Sequence, residues 1–425
     1  MSSRPAVHWP SLAQFAYSGF VLVAALGGAA GLAISAGLGL ARSPSAAAQP
    51  AAQLVGAAGA ALVGLLAIPS AVLALLRLLR RPLPGWASRP TGWLPHALSA
   101  RLLIAAGIAV LWGISLAAGG WAASQRGAGL LLLAPLYILA AGLPVAAYLV
   151  IGAGGLAGGS QQRRWGILSA ELVGTALVVL VVELLVLALV GLIIVLAVVS
   201  QPGALAEIQR LAAQLKAAQV TPENLGRILQ PFLRPWMLYL GIAVIAGIAP
   251  LIEELLKPLP LWFFARRGLT ASEGFVGGLI CGAGFALFES LGDLTSVTGA
   301  SWLPAALGRG GTDLLHILNG GLMGWALALA WSQGRSLRLV LTYLLVAGVH
   351  GLWNAISLLL GALPLVGPVF PALLHGQQAN YILGAGLVVI YLLMFWVLVR
   401  TNQRLGRSEP VPAQPPLAPL GENTN

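Results

Sequence analysis

The chain has 425 residues, of which 58% are hydrophobic and 8% charged, with a formal net charge of +11. A soluble domain carries roughly 25% charged residues, so these figures exclude a water-facing surface, and they equally exclude a disordered chain. The 54 glycines follow no collagen-like period and the lone cysteine, Cys281, excludes a disulfide framework or a Cys-based zinc site.

The basic residues stand singly between apolar stretches, without a basic face interleaved with aromatics, so no nucleic-acid partner is expected and the lipid bilayer is. Hydropathy predicts an all-α, polytopic transmembrane bundle of about ten spans: residues 15–40, 54–76, 102–119, 129–151, 167–199, 236–264, 274–292, 312–332, 339–362 and 381–399. Each is close to or above the about 20 residues that cross the hydrocarbon. With a cytoplasmic N-terminus, the tails and even-numbered loops hold 16 of the 23 Lys and Arg residues, which places both termini in the cytoplasm. Ala46, Ala47 and Ala48 resemble a signal-peptidase site, but the 26-residue first run exceeds a signal core of 7 to 15 residues and reads as an uncleaved helix.

Residues 1–200 thus form an N-terminal transmembrane region of about five spans. Segment 201–235 reads as a non-membrane piece with two amphipathic helices, the first carrying Leu205, Ile208, Leu211 and Leu215 at helical spacing. The second carries Leu225, Ile228, Leu229 and Phe232, with Thr221 as N-cap and Pro222 at its first position. Residues 236–362 hold four spans, 363–400 a loop and the final span, and 401–425 a Pro-rich tail expected to be disordered. No internal repeat is evident, which speaks against a transporter built on inverted repeats.

Ionisable residues inside apolar helices each cost about 2.5 to 3.5 kcal/mol and mark function. Of twelve acidic residues, six lie between 253 and 313: Glu253, Glu254, Glu273, Glu289, Asp293 and Asp313. Glu183 stands apart as a lone carboxylate mid-span, read as a protonated or hydrogen-bonded packing residue. The sharpest motif is Ile-Glu253-Glu254-Leu-Leu-Lys257, flanked by Pro250, Pro258 and Pro260. Lys257 shares a helical face with both acids and pairs with either, leaving the other carboxylate to work. Phe285-Ala-Leu-Phe-Glu289 sets a ring and a carboxylate one turn apart, on a face with Cys281. His316-Ile-Leu-Asn319-Gly320 and His350-Gly-Leu-Trp-Asn354 add two imidazoles and two amides, each aligned on one helix face.

Singly, each motif is compatible with a satisfied buried polar group. Jointly, carboxylates able to activate water and imidazole or amide donors able to hold an oxyanion form a kit for amide hydrolysis. One difficulty is geometric. With these span limits, Glu253 falls near the cytoplasmic end of its span and Glu289 near the outer end of the next, so the limits must shift until Glu253 lies near mid-membrane.

At these residues, over about 236–362, the sequence resembles the PrsW family of intramembrane proteases, related to the CAAX prenyl-protein endopeptidases and to the gamma-secretase scaffold subunit. The resemblance implies a CAAX-protease-like core of four helices and an intramembrane peptidase in the plasma (inner) membrane of a bacterium. It implies Glu253 as base supported by Glu254, with His350 and Asn354 as oxyanion donors, and places Glu289, His316, Lys257, Phe285 and Asn319 in or beside the site. Glu289 stands where the prenyl endopeptidases have His, and Lys257 where they have a later Arg, as in the PrsW branch. Water activation by glutamate alone and a zinc site of Glu254, Glu289, His316 and His350 both stay open. The implied partner is a single-pass membrane protein, with an anti-sigma factor as the example set by the family. The alternative is a non-catalytic scaffold, or a carrier of protons or small solutes, using the same buried groups; the complete Glu-Glu pair with Glu289 favours the enzyme.

Overall fold

The computed structural model describes residues 8–42, 48–88, 94–125, 127–217, 235–265, 267–296, 301–366 and 376–408. Among the described residues, every regular element is helical and ten helices are long and apolar enough to cross a membrane. They are α1 (Trp9–Arg42), α2 (Ala48–Leu78), α3 (Leu98–Ser124), α4 (Leu133–Ala153), α5 (Gln161–Val199), α7 (Tyr239–Trp262), α8 (Ala271–Asp293), α9 (Trp302–Gln333), α10 (Ser336–Val366) and α11 (Gly376–Ser408). The chain is a polytopic helical membrane protein, with spans where hydropathy placed them. Between α5 and α7, α6 (Ala204–Ala217) is the first amphipathic helix expected of the 201–235 segment. The second expected helix, with Thr221, lies outside the described residues, as does 409–425. The boundary expected at residue 400 moves, because α11 continues to Ser408.

The centre of the bundle is the pair α8 and α9, the two most buried spans. Small residues put them there. Gly274, Gly278 and Gly282 recur every four residues on α8 and meet Gly320 and Gly324 of α9 backbone to backbone. Without a hydrophobic effect between helices in lipid, such close backbone approach is what holds spans together. A side chain at Gly278 would overlap the Gly320 carbonyl, and backbone cannot give way as a side chain tip does. We expect Gly278→Leu to cost about 3 kcal/mol, the upper end for overpacking, read as a lowered unfolding midpoint in detergent.

The N-terminal spans are packed on this centre through polar contacts. Ser18 of α1 bonds Ser70 of α2 at 2.8 Å and Ser169 of α5 at 3.1 Å. The buried Arg101 guanidinium of α3 donates to the Ile151 carbonyl at 3.0 Å, to the Asn402 side chain at 2.8 Å and to the Gly154 carbonyl. This binds α3, α4 and α11 at one end of the bundle. Tyr137 of α4 donates to the Leu291 carbonyl of α8, and Tyr148 to the Gly310 carbonyl of α9 at 3.0 Å.

Two helices that border the site are not regular. α5 carries a π-helical turn over Ala170–Thr175 and α7 another over Ala243–Ile248, followed by a regular turn Ala249–Leu256 and a break at Pro258. Such π turns concentrate at functional sites because the extra residue re-aims the side chains beyond it. Here the second one precedes the Glu-Glu pair by five residues. The pyrrolidine nitrogens of Pro258 and Pro260 donate no hydrogen bond, which ends the regular helix there.

Candidate active site

Glu253, Glu254, Lys257, His316, Asn319 and His350 are all buried where α7, α9 and α10 meet. Glu254 is the paired acid. Its Oε1 accepts from Lys257 Nζ at 2.9 Å, His350 Nδ1 at 2.9 Å and Asn319 Nδ2 at 3.2 Å. Asn319 also donates to the Val346 carbonyl at 3.1 Å, so an amide expected beside the site ties α9 to α10 and to Glu254. Lys257 lies farther from Glu253, at 3.8 Å, and its ammonium sits 4.7 Å from the centre of the Phe285 ring. Phe285 in turn packs edge-on against the His316 imidazole, with ring centres 5.1 Å apart. Cys281 points away into an apolar cluster with Ile167 and Leu261 and takes no part.

The histidines are fixed from their outer sides. His316 Nε2 donates to Glu289 Oε2 at 2.7 Å, and His350 Nδ1 donates to Glu254. Each imidazole therefore turns its remaining nitrogen inward as a lone pair. His316 Nδ1 lies 4.0 Å and His350 Nε2 3.8 Å from Glu253 Oε2, a buried oxygen with no hydrogen-bond partner. An unsatisfied buried carboxylate oxygen is costly unless something else is meant to meet it. The three facing atoms lie within 4.8 Å of one another and could hold a metal ion. Lys257 Nζ stands 2.9 Å from His316 Nδ1 and donates to that lone pair, so an ion bound there requires the ammonium to withdraw towards Glu254.

The converging group is thus Glu253, His316 and His350, which differs from the set Glu254, Glu289, His316 and His350 considered from sequence. Glu254 and Glu289 meet the outer nitrogens of the two rings. Helical spacing shows which residues share a face, whereas which ring nitrogen a carboxylate meets depends on rotamers set by the neighbouring helices. The separation problem between Glu253 and Glu289 is closed by His316, whose ring spans the gap between them. Asn354 uses its amide on the Ile245 carbonyl, at 3.0 Å, inside the π turn of α7. With Tyr343 donating to the Leu251 carbonyl at 2.9 Å, it fastens α10 to the segment that carries Glu253.

Two residues near the site had not been expected there. Arg309 of α9 reaches Glu289 at 3.0 Å, Asp293 at 3.1 Å and Ser290 at 3.0 Å, and Ser290 bonds Asp313 at 2.8 Å. Its signal in the sequence is its place four residues before Asp313 within an apolar helix. Glu183, read from the sequence as a protonated or hydrogen-bonded packing residue, lines a cavity together with Glu289. An acid deep in the most apolar half of a 39-residue helix was the available signal.

The scan against protein families matches residues 184–399 to the PrsW family intramembrane metalloprotease. The chain belongs to the PrsW family. The match takes in α7 to α10 and most of α11, with every residue of the Glu–His group, while Glu183 and the first four spans precede it. Searches of the curated proteins and of the solved structures gave no match. Membership makes this an intramembrane protease, and the word metalloprotease agrees with a donor set of one carboxylate and two imidazoles, each backed by an outer carboxylate. In this PrsW-family protein, Glu289→Gln should weaken metal binding by roughly 10- to 100-fold, as loss of outer-shell partners does, measured by competition with a chromophoric chelator.

Proposed function

We propose that the protein hydrolyses a peptide bond of a membrane-anchored, single-pass protein, using a water activated at Glu253. The observation that carries this reading is the unpartnered Glu253 Oε2, faced by two imidazole lone pairs inside a buried, low-dielectric pocket. Glu253, His316 and His350 would hold the metal, and their oxygen and nitrogen donors suit zinc. Bound there, the ion supplies Lewis-acid polarisation and lowers the pKa of water.

The chain's own groups do the rest. Glu253, whose Oε2 faces the imidazoles, takes the proton of the attacking water on Oε1 and returns it to the leaving amine nitrogen as the carbon–nitrogen bond breaks, so the carboxylate is regenerated within one turnover. Glu254 and Glu289 hold the imidazoles in a single tautomer. Lys257, released from His316 Nδ1, remains paired with Glu254 and keeps that carboxylate from competing as base. Asn354 and Tyr343 set the depth of Glu253 by pinning the distorted segment of α7. The surrounding spans exclude bulk water, which strengthens each of these electrostatic contacts.

On the charge bias of the loops, both termini face the cytoplasm, and the membrane is the plasma membrane of a bacterium. An anti-sigma factor is the first substrate to try. The test is proteolysis by purified protein in liposomes against a panel of single-pass substrates, with and without chelator. Cleavage that chelator stops and zinc restores supports the reading. A scaffold or carrier would cut nothing in either condition.

A further inference from the structure

A cavity of about 460 Å³ opens beside Glu289 and is lined by Gly59 and Ala60 of α2, Tyr137 of α4, Glu183 of α5, and Glu289 and Asp293 of α8. Most of its walls come from the region before residue 184, which the family match does not cover. A helix about 10 Å wide fills roughly 400 Å³ per 5.4 Å turn, so the space takes about four residues of a guest and not an intact span. Small residues on α2, Gly56, Gly59 and Ala60, form one wall of that room.

The charge around this space is unbalanced. Glu253, Glu254, Glu289, Asp293 and Asp313 are joined through Lys257, Arg309, His316 and His350. Lys257 and Arg309 are their only Lys or Arg partners among the described residues, and Glu183 stands on the cavity wall beside Glu289 and Asp293. Lys257 is committed to Glu254, and Arg309 to Glu289 and Asp293. Glu183 has no Lys or Arg ion-pair partner among the described residues. A carboxylate held at a membrane cavity is costly without a counter-charge, and a cationic guest is the chemistry that answers it.

We propose that this cavity is a substrate subsite that receives a Lys or Arg side chain from an unwound stretch of the substrate close to the scissile bond, with Glu183 and the second oxygen of Asp293, whose Oδ2 holds Arg309, as its acceptors. The inference rests on the peptidase reading above and assigns the N-terminal spans a share in substrate selection. Glu183 thereby becomes a specificity-determining residue outside the matched family region.

The test uses the full-length protein in liposomes and pairs of single-pass substrates that differ only in Lys or Met at one position within four residues of the cut. Competition between the two in one reaction should show the Lys form preferred about tenfold in kcat/KM at one such position, a difference of about 1.4 kcal/mol. In Glu183→Gln the ratio should fall towards one. Asp293→Asn, at a 63% exposed side chain, repeats the measurement should Glu183→Gln fail to fold. A binding arm places a photoreactive residue at Ala60 in a Glu253→Gln background and compares crosslink yields of the two substrates, expecting the Lys form to dominate. Wild-type ratios near one at every position, a ratio unchanged by both acceptor variants, or equal crosslink yields would overturn the subsite. Absence of any cutting by the wild type would instead overturn the peptidase reading, and the crosslink arm would still decide the subsite.

Discussion

Glu253→Gln should abolish cleavage, with a fall in kcat of about 10⁴, the upper end for loss of a positioned base, while the protein remains folded. The amide keeps the shape of the side chain and its place beyond the π turn of α7, but it cannot accept the water's proton as a carboxylate does. Folding should survive because Oε2 makes no hydrogen bond that the substitution removes. Glu254→Gln is the contrasting change. It leaves Lys257 buried without its partner at 2.9 Å, and breaking such a pair costs about 3 to 5 kcal/mol. The two adjacent substitutions should therefore separate cleanly, one losing activity at full stability and the other losing stability first. Rates on a substrate that the wild type cuts, together with unfolding midpoints in the same detergent, distinguish them.

His316→Ala and His350→Ala should each remove the bound metal and the activity together. Each substitution deletes one of the three facing donors and takes one partner from a carboxylate on the far side, Glu289 for His316 and Glu254 for His350. The loss of metal affinity should exceed the roughly 10- to 100-fold typical of outer-shell changes such as Glu289→Gln. Elemental analysis should find about one equivalent of metal in the wild type and a clear deficit in both variants. Added zinc should restore neither variant to wild-type activity, because the missing donor is not replaced by concentration alone.

Much of this arrangement is legible in the sequence, for definable physical reasons. Long apolar runs have one solution in lipid, the helix, since it satisfies its own backbone, and so the spans emerge with errors only at their ends. The Glu-Glu-x-x-Lys pattern foretells that one acid is paired and the other free, because three- and four-residue spacings meet on a helix. What stays hidden is set between helices. That Glu254 and not Glu253 takes Lys257 goes with the donors Asn319 and His350, which meet the same Glu254 oxygen from neighbouring helices and leave no mark in the local sequence. That Glu289 serves as an outer partner of His316 depends on the glycine-to-glycine approach of α8 and α9. The place of Glu183 on a cavity wall is hidden for the same reason: the rest of that wall comes from α2, α4 and α8, and no spacing within α5 reports them.

X-ray absorption spectroscopy of the metal-loaded, purified protein tests the central claim most directly, since it counts the imidazoles bound to the ion. Convergence of Glu253, His316 and His350 predicts a spectrum with two imidazoles and an oxygen donor from the protein, and the loss of that spectrum with the metal in His350→Ala. A spectrum without imidazole, or one that His350→Ala leaves unchanged, would contradict it.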